Sequence, residues 1–144
     1  MPTSRFPLRR TALAALPTVT VALLLLAGCG GSSSTKTSAR PHTDARLQIL
    51  SPTPNEVTGP SIEVRFAVEG ATVSLPSKTK IVPNEGHIHV SIDGKLIVMS
   101  YGTSTEVHGL TPGLHTLQAQ FVANDHLPFS DPVNAAVIFT VKKG

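Results

Sequence analysis

Short runs of alternating apolar and polar residues, separated by Pro, Gly, Asn and Asp, fill the chain from residue 45 onward. In the clearest run, residues 61–69, the apolar residues at every second position are Ile62, Val64, Phe66 and Val68. A two-residue period places these side chains on one face of a β-strand and the intervening residues on the other. Because no part of this region shows the 3.6-residue period of a helix, the sequence predicts an all-β domain.

The same alternation predicts seven strands, at residues 46–51, 61–69, 86–93, 95–101, 105–110, 114–123 and 132–142. Residues 71–85 are predicted as a long connection with short extended pieces at 72–75 and 80–82. Seven short strands at this spacing are typical of a Greek-key, immunoglobulin-like sandwich. A domain of about 100 residues buries somewhat over 60% of its extended surface, which is enough to fold without cross-links.

One motif supports this fold. Residues 110–117, with the sequence Leu-Thr-Pro-Gly-Leu-His-Thr-Leu, resemble the corner before the sixth strand of immunoglobulin-like and fibronectin-type-III-like domains. The resemblance implies that His115 lies on the core face and hydrogen-bonds a backbone carbonyl upstream, as the tyrosine of such corners does. The alternative is that His115 serves as a ligand.

The first 28 residues have the pattern of a secretory signal peptide, a basic stretch followed by an apolar run. The residues Leu26-Ala27-Gly28-Cys29 resemble the lipobox of bacterial lipoproteins, whose cysteine becomes the lipidated first residue. The resemblance implies an acyl anchor, such as palmitate, on Cys29 and a place on the extracytoplasmic face of a bacterial cell membrane, periplasmic or at the cell surface. The alternative is a free cysteine that ends an ordinary signal peptide or membrane anchor.

Residues 29–44 are rich in Gly, Ser and Thr and have no apolar period, so they are predicted to form a flexible tether before a domain at residues 45–144. Cys29 is the only cysteine, which excludes a disulfide within the chain. Three of the 12 Lys and Arg residues lie among the first ten residues, which leaves nine against nine Asp and Glu. This near-neutral balance predicts no nucleic-acid partner.

The predicted strand at residues 86–93 carries the main chemical signal. Its apolar residues share one face, and His87 and His89 share the other, with Cα atoms about 7 Å apart. The strand ends at Asp93-Gly94, a pair typical of a tight hairpin turn. Two imidazoles at this spacing can bind one metal ion.

A third histidine is predicted to join them. In an immunoglobulin-like topology this strand and the predicted strand at 114–123 are antiparallel neighbours, so the end of the latter brings His126 to the same rim. Three neutral imidazoles with an open fourth position suit Zn or Cu. Asp125 is expected to orient a ring, and Asn84 or Glu85 to complete the site. The alternative is that the rings only pack at a sheet edge or bond loop carbonyls.

Copper-zinc superoxide dismutases are also β-sandwiches with a His-x-His pair on a strand, which residues 87–89 resemble. This chain lacks their disulfide cysteines, their long histidine-rich zinc loop and the histidines of a bridged two-metal site. It also lacks a Gly-x-Ser-x-Gly nucleophile motif.

In combination, the His-x-His strand, the Asp-Gly turn, the Pro-Gly-Leu-His corner and Asp125-His126 resemble small exported bacterial lipoproteins with an immunoglobulin-like domain. The sequence therefore predicts a membrane-anchored binding module, not an enzyme, which captures a transition metal through His87, His89 and His126. The second hypothesis is a structural or protein-interaction module of the cell envelope. The third is a superoxide-dismutase-like metalloenzyme.

Overall fold

The computed structural model describes residues 39–76 and 80–143. The predicted signal peptide, Cys29 and most of the predicted tether lie outside the described residues. The strands are β1 (Arg46–Ser51), β2 (Val57–Thr58), β3 (Ile62–Glu69), β4 (Thr72–Val73), β5 (Glu85–Ile92), β6 (Lys95–Ser100), β7 (Ser104–Val107), β8 (Gly113–Ala123) and β9 (Pro128–Val141). In these two ranges there is no helix of the length and apolar character needed to cross a membrane.

The strands form two sheets. One has the order β1-β3-β7, and the other has the order β2-β9-β8-β5-β4, with β6 also paired to β5. The pairs are antiparallel except for β2 with β9 and β4 with β5, which are parallel. The chain passes between the sheets at β1–β2, β2–β3, β3–β4, β6–β7 and β7–β8, which gives an immunoglobulin-like sandwich and confirms the predicted fold class.

The core lies between the two sheets and follows the predicted alternation. Ile62, Val64 and Phe66 of β3 are buried against the inward face of the larger sheet. The largest fully buried apolar side chains of that face are Phe121, Phe139, Ile88 and Leu117. The alternating apolar side chains of β3, β5, β8 and β9 thus form one continuous core.

The prediction missed two features of the larger sheet. Strand β2 has only two residues, too few for an alternation to be recognised. Strand β9 begins at Pro128 rather than at residue 132, because the pairing of β8 with β9 jumps from Phe121↔Val133 to Val122↔Pro128. The predicted extended piece at 80–82 is not a strand.

The corner before β8 has the predicted histidine bond. His115 is buried, and its Nε2 lies 2.7 Å from the carbonyl oxygen of Thr111. Its Nδ1 lies 2.7 Å from Oδ2 of Asp93, in the hairpin turn between β5 and β6. The Thr111 carbonyl and then the Asp93 carboxylate raise the pKa of His115, because both accept a hydrogen bond from its ring. The structural interpretation of His115 is therefore confirmed.

Residues just before the predicted domain already contact it. The backbone amide of Ser130 donates to the carbonyl of Pro41 over 3.0 Å, and the hydroxyl of Thr43 donates to Oδ1 of Asn84 over 3.0 Å. The His42 ring is mostly exposed and pairs with Asp131. Contacts with the domain thus include residues 41–43, while the division at residue 45 stays a prediction.

Candidate metal centre

Strand pairing places two histidines on the outer face of the larger sheet. In the register of β5 with β8, His87 pairs with Val122 and His89 with Gln120, while Ile88 between them faces the core. Gly86 lets β5 approach β8 closely, because a Cβ at this position would lie 2.0 Å from the carbonyl oxygen of Val122. The predicted faces of this strand are confirmed.

The third histidine comes from the tight loop between β8 and β9. The backbone amide of Ala123 donates to the carbonyl of Leu127 over 3.0 Å, and the amide of His126 donates to the carbonyl of Ala123 over 2.9 Å. His126 has a φ of 64°, in the left-handed region that non-glycine residues seldom adopt. This backbone turn brings the His126 ring to the start of β5.

The three rings converge through one nitrogen each. Nε2 of His87 lies 2.9 Å from Nδ1 of His126 and 3.1 Å from Nε2 of His89, and all three nitrogens lie within 4.8 Å of one another. Nitrogens bound to one tetrahedral zinc ion at about 2.0–2.1 Å are about 3.4 Å apart. The trio, meaning His87, His89 and His126, therefore needs only small side-chain shifts to hold an ion.

The environment keeps two of these rings neutral. His87 is fully buried, His89 is half-buried and His126 is exposed. Burial first, and then the charges of His89 and His126, lower the pKa of His87 to about 4. Burial and His126 lower the pKa of His89 as well. Neutral rings have a free nitrogen lone pair, which is the form that binds metals.

The trio is open to solvent on one side. His126 forms its exposed edge, and His89 also lines a shallow trough of about 640 Å³ on the outer sheet face. The trough is lined mainly by small and amide side chains, among them Gln118, Gln120 and Asn134. An ion held by these three nitrogens alone would have a fourth coordination position for water or another ligand.

The trio also carries an unsatisfied polar atom. Nδ1 of His87 is buried and has no hydrogen-bond partner among the described residues. Its Nε2 faces two other ring nitrogens, so hydrogen bonding within the trio cannot satisfy both nitrogens of His87 at once. An unsatisfied buried donor or acceptor costs about 1–3 kcal/mol.

Other predicted contributors lie elsewhere. Asp125 pairs with Arg40 rather than with a ring, so its predicted orienting role is wrong. Asn84 bonds the segment before β1, and Glu85 accepts from the Ser74 hydroxyl over 3.0 Å, so neither completes the site. His108 is on the surface, outside the trio.

Sequence reasoning missed two residues beside the trio, both on or just after β6. The centroid of the Tyr101 ring lies 5.3 Å from the centroid of the His87 ring. Met99 pairs with His89 across the sheet. It also missed Arg40, which donates to the backbone carbonyls of Leu127 and Pro128 next to His126. No local pattern around Arg40 marks it as part of a site.

Fold and site together define an immunoglobulin-like sandwich with a histidine trio on its outer sheet face. No protein-family profile matches the chain, and no curated protein sequence matches it. Solved structures are similar to it at low identity. They include fibronectin(III)-like modules of CbhA from Clostridium thermocellum, with a TM-score of 0.47, 20% identity and coverage of 67% of this chain and 94% of that chain.

Two further similar structures have lower identity. The endo-beta-1,4-mannanase from Thermotoga petrophila gives a TM-score of 0.46 at 10% identity and covers 70% of this chain, but only 20% of the mannanase chain is covered. The PKD domain of human KIAA0319 gives a TM-score of 0.43 at 14% identity, with 76% of this chain and 91% of that domain covered. The strand order and the register of the two sheets define the fold of this chain.

Proposed function

We propose that this protein is a non-enzymatic binding module that captures one transition metal ion through His87, His89 and His126. The convergence of three ring nitrogens within 4.8 Å carries the proposal. The lowered pKa values of His87 and His89 support it, because neutral imidazole is the ligand form. Because His126 is exposed, an ion held by the trio can be reached from solvent, which suits an ion that is passed on rather than locked in place.

The proposal places the module on the outer side of a bacterial membrane. Support comes from the signal-peptide pattern and from the lipobox-like sequence that ends at Cys29. An acyl chain on Cys29, followed by a Gly- and Ser-rich segment, would hold the domain near the bilayer surface. A module of this kind would meet metal ions or envelope proteins, not nucleic acid.

A second candidate function is a structural or protein-interaction module without metal. The observation that favours it is the edge strand β6, where Leu96 and Ile97 are each 43% exposed. An edge strand with exposed apolar side chains can pair with another protein. Under this alternative, the histidines only support the loop between β8 and β9.

A thermal-shift titration separates the two functions. The full chain, carrying Cys29→Ser to remove the thiol, would be melted with increasing Zn²⁺ or Cu²⁺. An ion that binds only the folded state adds about 2.7 kcal/mol of stability at 100 times its Kd. For a domain of this size that is a rise in Tm of roughly 10–20 °C. An unchanged melt at large excess of both ions contradicts metal capture and leaves the interaction module.

Variants of the histidines test whether the metal-induced rise in Tm comes from binding at the trio. His126→Asn removes one ring, while Asn tolerates the left-handed backbone at this position. We expect it to keep the Tm of the metal-free protein and to lose most of the metal-induced rise. His108→Ala is the matched control, because His108 is an exposed histidine outside the trio. An equal metal-induced rise in wild type and His126→Asn would show that the ion binds elsewhere.

A further inference from the structure

Strand β6 places a thioether beside the trio. The hairpin pairs Ile92 with Lys95 and Ser91 with Leu96, but Val90 then pairs with Val98, so Ile97 is an extra residue on β6. Such a bulge changes which side chains face the core. As a result Val98 packs towards the core, and Met99 lies directly opposite His89 on the outer face. Directly paired residues have Cβ atoms about 4.5–5.5 Å apart.

The Tyr101 side chain contacts the Met99 side chain. The Tyr101 hydroxyl lies 3.7 Å from Sδ of Met99, within hydrogen-bond range for a sulfur acceptor. The centroid of the same Tyr101 ring lies 5.3 Å from the centroid of the His87 ring. Met99 therefore lies between Tyr101, which contacts His87, and the strand that carries His89. A thioether sulfur has two lone pairs, so accepting from Tyr101 leaves one free to bind a metal.

The chemistry of these donors points to one metal. Imidazole nitrogen binds zinc and copper alike, whereas a thioether is a soft ligand that favours monovalent copper. Zinc sites in proteins use thiolate, imidazole and carboxylate rather than thioether. The added donor at this position thus distinguishes between two ions that the trio alone would bind.

We propose that the captured ion is Cu(I) and that Sδ of Met99 is its fourth ligand, completing the set of His87, His89 and His126. The inference deepens the proposed function and rests on it. Tyr101 is a positioning residue in this site, because its hydroxyl orients the sulfur without binding the ion. The site needs no electron transfer, since copper enters and leaves in the same oxidation state.

The test uses the full chain carrying Cys29→Ser, in which the only sulfur atoms are those of Met1 and Met99. Cu(I) affinity would be measured without oxygen, against a chromogenic Cu(I) chelator, and Zn²⁺ affinity by a parallel competition. Met99→Leu nearly conserves side-chain volume and removes the sulfur. The matched control is Ile97→Leu, an exposed substitution on the same strand.

We expect Met99→Leu to weaken Cu(I) binding about tenfold or more, a loss typical of disturbing a metal site. We expect Zn²⁺ binding to be nearly unchanged in the same variant, and both affinities to be unchanged in Ile97→Leu. X-ray absorption at the copper edge should show one sulfur neighbour in the Cys29→Ser protein. The sulfur neighbour should be missing after Met99→Leu.

Two other outcomes have different meanings. Copper with nitrogen neighbours only, or Met99→Leu with unchanged Cu(I) affinity, overturns the role of Met99 but leaves metal capture by the trio intact. Failure of both Cu(I) and Zn²⁺ to bind the Cys29→Ser protein overturns the proposed function together with this inference. The absorption spectrum of the Cys29→Ser protein decides the question even if Met99→Leu does not fold.

Discussion

His87 and His126 are 39 positions apart in the sequence, yet Nε2 of the first lies 2.9 Å from Nδ1 of the second. The first ring is fixed by the pairing of β5 with β8, and the second by the tight loop that follows β8. The two rings therefore meet only if the start of β5 and the end of β8 keep their register. This dependence gives several tests of the structure.

Gly86→Ala should disturb the register where the trio begins. The new Cβ would lie 2.0 Å from the carbonyl oxygen of Val122, a backbone atom that cannot move away without shifting β8. Overpacking of this kind costs about 1–3 kcal/mol. We expect a lower free energy of unfolding in urea and a weaker metal-induced rise in Tm.

Gly102→Ala is the control for that variant, because no atom lies within 4 Å of its new Cβ. Its free energy of unfolding should stay within about 0.5 kcal/mol of wild type. Equal stability of the Gly86→Ala and Gly102→Ala proteins would argue against the close approach of β5 to β8.

Asp93→Asn should reduce stability in one range of pH. The Thr116 amide and then His115 lower the pKa of Asp93 below 3.8, and the pKa of His115 is raised above 6.5. The Asp93 contribution is present above pH 3.8 and is lost as pH falls through the folded-state pKa. The His115 contribution is present below pH 6.5 and is lost as pH rises through its folded-state pKa.

Asparagine keeps the acceptor for the Thr116 amide and tolerates the positive φ of residue 93. It removes the charge and replaces the oxygen that accepts from Nδ1 of His115 with an amide NH2 group. The difference in unfolding free energy from wild type should thus be largest between pH 3.8 and 6.5. It should stay below about 1 kcal/mol, because an exposed carboxylate is screened by solvent. Urea midpoints near pH 5 and near pH 8.5 would measure it. A difference that does not depend on pH would contradict an ion pair here.

Arg40→Ala should weaken metal binding more than it weakens the fold. Its guanidinium pairs with Asp125 and donates to two carbonyls in the loop that carries His126. Arg40 bonds none of the three rings, so we expect an affinity loss of about tenfold or less, at the low end for groups around a metal site. Competition with a chelator would measure it, and Arg46→Ala is the control. Unchanged affinity would mean that this ion pair does not position His126.

Cys29→Ser should release the protein from membranes. If an acyl chain on Cys29 is the anchor, serine cannot take its place, and the protein should move to the soluble fraction after cell lysis. Fractionation followed by immunodetection would measure this, and Ser38→Ala is a control that leaves the cysteine intact. Protein that stays in the membrane fraction as Cys29→Ser would contradict the lipobox assignment.

The fold class and the convergence of the trio could be predicted from the sequence, for a physical reason. Alternation identified the buried faces of β3, β5, β8 and β9, and the antiparallel pairing of β5 with β8 brought His126 to His87. The corner motif at residues 110–117 predicted the hydrogen bond between the His115 ring and a backbone carbonyl upstream. These features depend on a two-residue period or on a short motif, both of which are local in sequence.

The residues around the trio could not be predicted in this way. A regular two-residue hairpin at Asp93-Gly94 would pair His89 with Val98, and only the extra residue Ile97 brings Met99 to that place. Arg40 lies in a segment without a regular spacing of apolar residues. Its hydrogen bonds join residues that are more than 80 positions apart in the sequence. Bulges and isolated long-range ion pairs leave no local pattern to recognise.

Metal capture by the trio can be measured directly as the number of metal ions bound per chain. The full chain carrying Cys29→Ser would be dialysed to equilibrium against Zn²⁺ and analysed for metal, alongside His126→Asn and His108→Ala in the same background. We expect one ion per chain in the parent and in His108→Ala, and a large loss in His126→Asn. No bound ion in the parent, or full occupancy in His126→Asn, would contradict it.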